Sequence, residues 1–329
     1  MFIRGLIVVS ATMLASSAFA SFDMLVIPNA SGDRYDRYDP VNRVFLGSMF
    51  MNGANKVSAN SSSPNGFYSY AGGQTLMNNY TGERISNPSF SSAHLQLGLS
   101  GGLNSQTSTG VINFGSLNSA NILTFSASFA APVGNFIAGS TAVNSTQWLV
   151  TTTSATGLNA YLVNSTGTIA ASALNLVPIA GLTSTGVGQS ATFTRGTTRY
   201  AAIPYRDNSG DHRLLAVAIG SSSVTFSSNQ SLSGFSTGNA STTLCAVAGH
   251  TGFFLVGADT PGTGATRITE FDSAPAFGVM NSYTTTSISA QSTNNQWRMS
   301  NIVAPEPGSM VALGLGMVAM LKRRRKALA

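Results

Sequence analysis

Arg199-Tyr200-Ala201-Ala202-Ile203-Pro204, a turn through Asp207-Asn208-Ser209-Gly210, then Leu214-Leu215-Ala216-Val217-Ala218-Ile219 is the stretch that decides the fold. Short apolar runs flank a polar turn of Asp, Asn, Ser and Gly, residues that accept left-handed backbone or bond their own chain. Runs of this length bounded by such turns read as strands, and the pair reads as a hairpin. The same unit recurs. Gln147-Trp148-Leu149-Val150 turns at Thr156-Gly157 into Ala160-Tyr161-Leu162-Val163. Gly252-Phe253-Phe254-Leu255-Val256 turns through Pro261-Gly262-Thr263-Gly264 into a strand over 267–271. Met24-Leu25-Val26-Ile27-Pro28 turns at Ser31-Gly32-Asp33 into a strand over 35–38.

The well-formed later units start near 148, 200 and 253, a period of about 52 residues. A period of this order with about four strands per unit predicts propeller blades. One small sheet cannot bury both of its faces alone; several packed around an axis can, leaving only short edges. The body of about 280 residues then holds five to seven blades, with six as the central value. A strand over 296–303 would pair with the first blade and close the ring. Weaker copies begin near Phe67 and His94, an interval too short for the period. A β-sandwich pair or a β-solenoid would have similar composition.

Composition narrows the class further. Of 329 residues, 43% are hydrophobic and only 9% charged, against a globular norm of about 25% charged. The single cysteine, Cys245, excludes a disulfide scaffold and a cysteine-cluster metal site. The apolar content excludes a charge-driven disordered chain. The net charge of +6 belongs to the ends. Setting aside Arg4, the tail cluster and Glu306 leaves 11 basic and 10 acidic residues, and Lys56 is the only lysine between the ends. Nucleic-acid binding would need cations gathered along one face, so no nucleic-acid partner is expected.

Residues 1–20 read as a signal peptide. Arg4 supplies the positive n-region, an apolar run covers 6–14, and Ala18-Phe19-Ala20 places small residues where signal peptidase needs them. Cleavage after Ala20 would expose Ser21.

Residues 304–329 carry the second address. Pro305-Glu306-Pro307-Gly308 precedes an apolar run over 310–321 and the basic cluster Lys322, Arg323, Arg324, Arg325 and Lys326. The prolines forbid a regular helix, so this stretch must be extended. From Gly308 the apolar run makes about 21 Å of helix, short of the ~20 residues of a comfortable span. Thinning and snorkelling can make up the rest. The cluster orients the tail to the cytoplasm. This arrangement resembles the PEP-CTERM sorting signal of Gram-negative bacteria that make extracellular polysaccharide. The resemblance implies recognition of Pro305, Glu306 and Pro307 by an exosortase, with the C-terminal segment in the inner membrane and the body outside.

Arg37-Tyr38-Asp39-Pro40, running into Val44-Phe45-Leu46-Gly47, resembles blades of secreted bacterial propellers of the NHL or YVTN type. Asn42-Arg43 stands where a Thr-Gly turn is usual in that family.

Chemistry is sparse. His94, His212 and His250 show no metal-ligand spacing, and His212 is expected in a solvated turn. Cys245 lies in an apolar run and is expected to be buried. Glu270 and Asp272 are two apart on a strand, so both point to one face. Such a pair could serve glycoside hydrolysis or hold Ca²⁺, though a solvent-facing strand end is the plainer use. Asp33, Asp36 and Asp39 recur every third residue among Arg and Tyr, and a cross-strand Asp–Arg ladder is expected there. No nucleophile elbow, P-loop or dinucleotide fingerprint occurs. No catalytic residue, metal or cofactor is assigned. The expectation is an exported propeller of about six blades, a non-enzymatic surface or matrix module associated with exopolysaccharide. A carbohydrate-active enzyme and an adhesin are the alternatives.

Overall fold

The computed structural model describes residues 21–28, 34–50, 57–59, 67–70, 75–78, 84–86, 94–97, 102–106, 110–117, 123–183, 186–235, 244–249, 252–258, 265–272, 277–288 and 300–305. Residues 1–20, with Ala18 and Ala20, lie outside this set. So do Asp33, His250, Glu306, Pro307, Gly308 and Lys322 to Lys326. Among the described residues no helix is long and apolar enough to cross a membrane.

Among the described residues, twenty-four strands form six antiparallel sheets of four. Blade 1 combines β1 (Ser21–Pro28), β2 (Arg34–Asp39) and β3 (Val44–Phe50) with β24 (Ser300–Pro305) from the far end of the sequence. Blade 2 holds β4 (Val57–Ala59), β5 (Phe67–Tyr70), β6 (Thr75–Asn78) and β7 (Arg84–Ser86). Blade 3 holds β8 (His94–Leu97), β9 (Gly102–Gln106), β10 (Val111–Leu117) and β11 (Leu123–Ala130). Blade 4 holds β12 (Asn135–Ala142), β13 (Gln147–Ser154), β14 (Gly157–Asn164) and β15 (Ile169–Val177). Blade 5 holds β16 (Ala191–Arg195), β17 (Thr198–Arg206), β18 (His212–Ile219) and β19 (Val224–Ser231). Blade 6 holds β20 (Cys245–Ala248), β21 (Gly252–Ala258), β22 (Thr266–Asp272) and β23 (Val279–Thr285).

The first strands touch in succession, β4 to β8, β12, β16, β20 and β24, and so surround the axis. This is a six-bladed β-propeller. The closing strand pairs with β1 from Ser21↔Pro305 to Val26↔Ser300. It ends on Pro305, the first proline of the tail motif. The repeated hairpins of the sequence are the second and third strands of blades 1, 4, 5 and 6. Second strands start at 21, 67, 102, 147, 198 and 252. Phe67 opens a second strand but His94 opens a first strand, which accounts for the short interval between them.

Each apolar core is a seam between consecutive blades. Leu149 and Leu162 pack with Ile203 and Leu215 between blades 4 and 5, whereas Val150 and Val163 pack with Ile112 and Phe114 between blades 3 and 4. Phe253 and Leu255 face blade 5, beside Phe193 and Leu214. Phe254 and Val256 face Leu25 and Ile27 of blade 1. Successive side chains of a strand point to opposite faces, so an uninterrupted apolar run supplies two seams at once. Each fully buried Leu or Phe contributes about 1.5–3 kcal/mol.

Outer strands share an irregularity. In blades 1, 3, 4, 5 and 6 a bulge leaves one extra residue on the fourth strand: Leu46, Ser126, Ala170, Ser227 and Met280. The residue before each is a large exposed hydrophobic: Phe45, Phe125, Ile169, Phe226 and Val279. Phe45-Leu46-Gly47, the triplet shared with secreted propellers, is one such bulge, and Gly47 there has φ of 102°.

Candidate functional site

A cleft of about 450 Å³ opens at one end of blade 4. The β13–β14 turn forms one wall, the approach to β12 another, and β15 the third. Asn135 stands at its centre. Its Oδ1 accepts from Asn159 Nδ2 at 2.7 Å and Thr152 Oγ1 at 3.0 Å. Asn159 Oδ1 in turn accepts from the Asn175 backbone N–H at 2.7 Å, holding Asn175 at φ of 52°. Thr156 Oγ1 donates to Asn175 Oδ1 at 2.7 Å across the mouth. Burial raises the pKa of the adjacent Tyr161 phenol, against the lowering effect of its bond with Thr152. At neutral pH that hydroxyl is an intact donor.

None of the lining side chains carries a charge. The site holds amides and hydroxyls in fixed orientation, bordered by exposed Val133 and Leu174. Polar groups locked by one another beside apolar surface suit a ligand with hydroxyls on its rim and C–H groups on its faces. The lining offers no carboxylate, imidazole or thiol for general acid–base or nucleophilic chemistry. Composition hid this site, because Asn, Thr and Ser are frequent everywhere. The one signal was Asn159, a polar residue inside the otherwise apolar buried stretch of β14.

The residues singled out by sequence lie elsewhere. Glu270 and Asp272 share β22, yet they are used differently. Asp272 Oδ1 accepts the Gly278 N–H at 2.9 Å and caps the β22–β23 connection. Glu270 is half-buried at the seam of blades 6 and 1; burial raises its pKa, and the nearby Asp23 raises it further. Asp36 and Asp39 each accept hydrogen bonds within blade 1. Asp36 accepts from Ser48 Oγ at 2.6 Å. Asp39 accepts from the Val41 and Asn42 backbone N–H groups at 3.0 and 2.8 Å, shaping the 40–43 turn. Both are buried, since a blade covers both faces of its inner strands.

His212 corrects an expectation. It is buried rather than solvated, because it opens β18 and sets its ring edge-on to Phe235. Cys245 is buried, as expected, beside Val247 and Phe254. No group of three metal-ligating side chains occurs among the described residues.

Residues 303–326 carry the PEP-CTERM protein-sorting motif. The PEP-CTERM match contains Pro305, Glu306, Pro307, Gly308 and the basic cluster from Lys322 to Lys326. A chain with a PEP-CTERM motif is an exosortase-sorted, exported protein, held in the membrane by its C-terminal segment before sorting. No curated protein sequence matches the chain. Among solved structures, it is similar to a protein of unknown function from Bacteroides caccae at 11% identity and TM-score 0.48, covering 86% of this chain and 99% of that one. It is similar to Kluyveromyces lactis Hsv2 at 11% identity and TM-score 0.47, covering 79% and 82%. The β-propeller domain of Myceliophteria thermophila Cps50 (Swd1) gives 10% identity and TM-score 0.46, covering 80% and 87%.

Proposed function

We propose that this protein is a non-enzymatic surface module that binds neutral, hydroxyl-rich polysaccharide, the exopolysaccharide of its own envelope. Signal peptidase would remove residues 1–20, and the exosortase would then act at the PEP-CTERM motif. The uncharged amide cleft of blade 4 carries the reading. A neutral glycan offers many hydroxyls and no charge, so recognition falls to oriented amides and hydroxyls with apolar contact beside them. The sorting motif, the mark of an exported protein, supports this reading.

The test is retention of the exported protein on immobilised neutral polysaccharides. Asn159→Ala removes the donor to Asn135 and the acceptor for Asn175, and should weaken retention about tenfold, the equivalent of about 1.4 kcal/mol. Unchanged retention would overturn the site. Release of new reducing ends, lost in Glu270→Gln, would instead establish the carbohydrate-active enzyme. Its support is the raised pKa of Glu270, a property suited to a general acid.

A further inference from the structure

Antiparallel strands put alternate turns at opposite ends of a blade. In blades 4 and 5 the turns between strands one and two, and between three and four, lie at one end: residues 143–146, 165–168, 196–197 and 220–223. The turns between strands two and three lie at the other end, with the approach to the next blade. The amide cleft belongs to that second end, through Ala155, Thr156 and Gly134. In blade 1 the turn between strands one and two is missing, because strand one is β24 and strand two is β1. Its place is taken by Ser21 and Pro305, which pair there. The path to the membrane therefore leaves beside the axis, from the end opposite the cleft.

The connection is short. Only residues 306–309 separate the end of β24 from the apolar run that starts at Met310. Four residues reach at most about 14 Å. An exit near the axis brings the whole end of the propeller to the membrane, not one corner of its rim. The charges at that end are of both signs. Arg43, Arg195 and Arg199 stand at that end. The same end holds the carboxylates Asp39 and Asp272, which accept backbone N–H groups, and Asp23 and Glu270, which face each other at the seam of blades 6 and 1.

We infer that, while the tail is anchored, the propeller lies with this end against the lipid headgroups and its amide cleft facing away. The membrane is thus a docking surface for one end of the ring, and sorting frees it. The inference rests on the anchored state and not on what the cleft binds.

The test uses the full chain in spheroplasts of a host without the sorting enzyme. Two single-cysteine additions, Thr197→Cys at the membrane end and Ala155→Cys at the cleft end, are treated with a bulky, impermeant maleimide. Both positions are exposed, and the native Cys245 is buried. Thr197→Cys should label several-fold more slowly than Ala155→Cys. A Gly-Ser spacer of about 20 residues after Gly308, with a mean reach of about 25 Å, should abolish the difference. Equal labelling without the spacer, or a difference that survives it, would overturn the inference. A chain that fractionates as soluble would overturn it together with the anchored state.

Discussion

The Arg43 guanidinium sits 4.4 Å from the centre of the Tyr283 ring. It joins the outer turn of blade 1 to the outermost strand of blade 6, across the seam where the ring closes. Arg43 also donates to Asn281 Oδ1 at 3.2 Å, and Tyr283 OH donates to the Pro40 carbonyl at 2.6 Å. The ring therefore has two closures: the inner β1–β24 ladder and this outer clasp.

The clasp predicts a measurable coupling. Arg43→Ala removes a cation–π contact worth about 0.5–1 kcal/mol. Tyr283→Phe leaves the Pro40 carbonyl without its donor, at about 1 kcal/mol. The two losses should not add, because the contacts share one ring. Urea unfolding of both single variants and the double variant checks this; additivity would show that the contacts act separately.

Tyrosine burial predicts alkaline sensitivity. Burial raises the pKa values of Tyr161, Tyr205 and Tyr283, and the neighbouring Tyr38 raises that of Tyr283 further. An unfolded tyrosine ionises near pH 10, while these stay neutral in the folded state. Their contribution is complete below about pH 10 and is lost as pH climbs toward the folded values. Melting temperature followed from pH 8 upward should fall above about pH 10, less steeply in Tyr283→Phe.

Glu270 has the same sign on the acid side. Its folded pKa stands above the unfolded value, so its favourable contribution is present below about pH 4.5 and is lost as pH rises. Burial and the nearby Asp23 both oppose the ionised form. Glu270→Gln should therefore melt higher than the parent at pH 7 and alike at pH 4. A lower melting temperature at pH 7 would show that the charge is used.

Backbone geometry separates two glycines. Gly157 has φ of 144°, and a Cβ there would overlap the Val177 carbonyl oxygen; Gly110 has φ of 79° and open space around it. Gly110→Ala should cost only the left-handed penalty of about 1–2 kcal/mol. Gly157→Ala should cost more, about 3 kcal/mol or above, because β15 must also move. Chemical denaturation of both distinguishes strain alone from strain with collision.

The second and third strands were legible in sequence because each serves two seams. Gly252-Phe253-Phe254-Leu255-Val256 is apolar throughout for that reason. First and fourth strands were harder to see. β19 exposes part of its length to solvent, so Val224-Thr225-Phe226-Ser227-Ser228 has no clear pattern. His212 misled because the same Asp-Gly signals that announce a turn stand right before the strand it opens. The cleft was invisible for a different reason. Asn135, Asn159 and Asn175 lie on three strands, and only the register of β12, β14 and β15 brings them together.

The bulges on five outer strands bear on where this protein can work. Exposed strand edges are commonly guarded by lysine, and this body has only Lys56. A bulge instead interrupts the spacing that an incoming strand would have to match. Charge guards fade as salt shortens the Debye length to about 3 Å at 1 M, but a misfitting backbone does not. The propeller's rim thus resists strand addition by shape, at high salt as well as in dilute water.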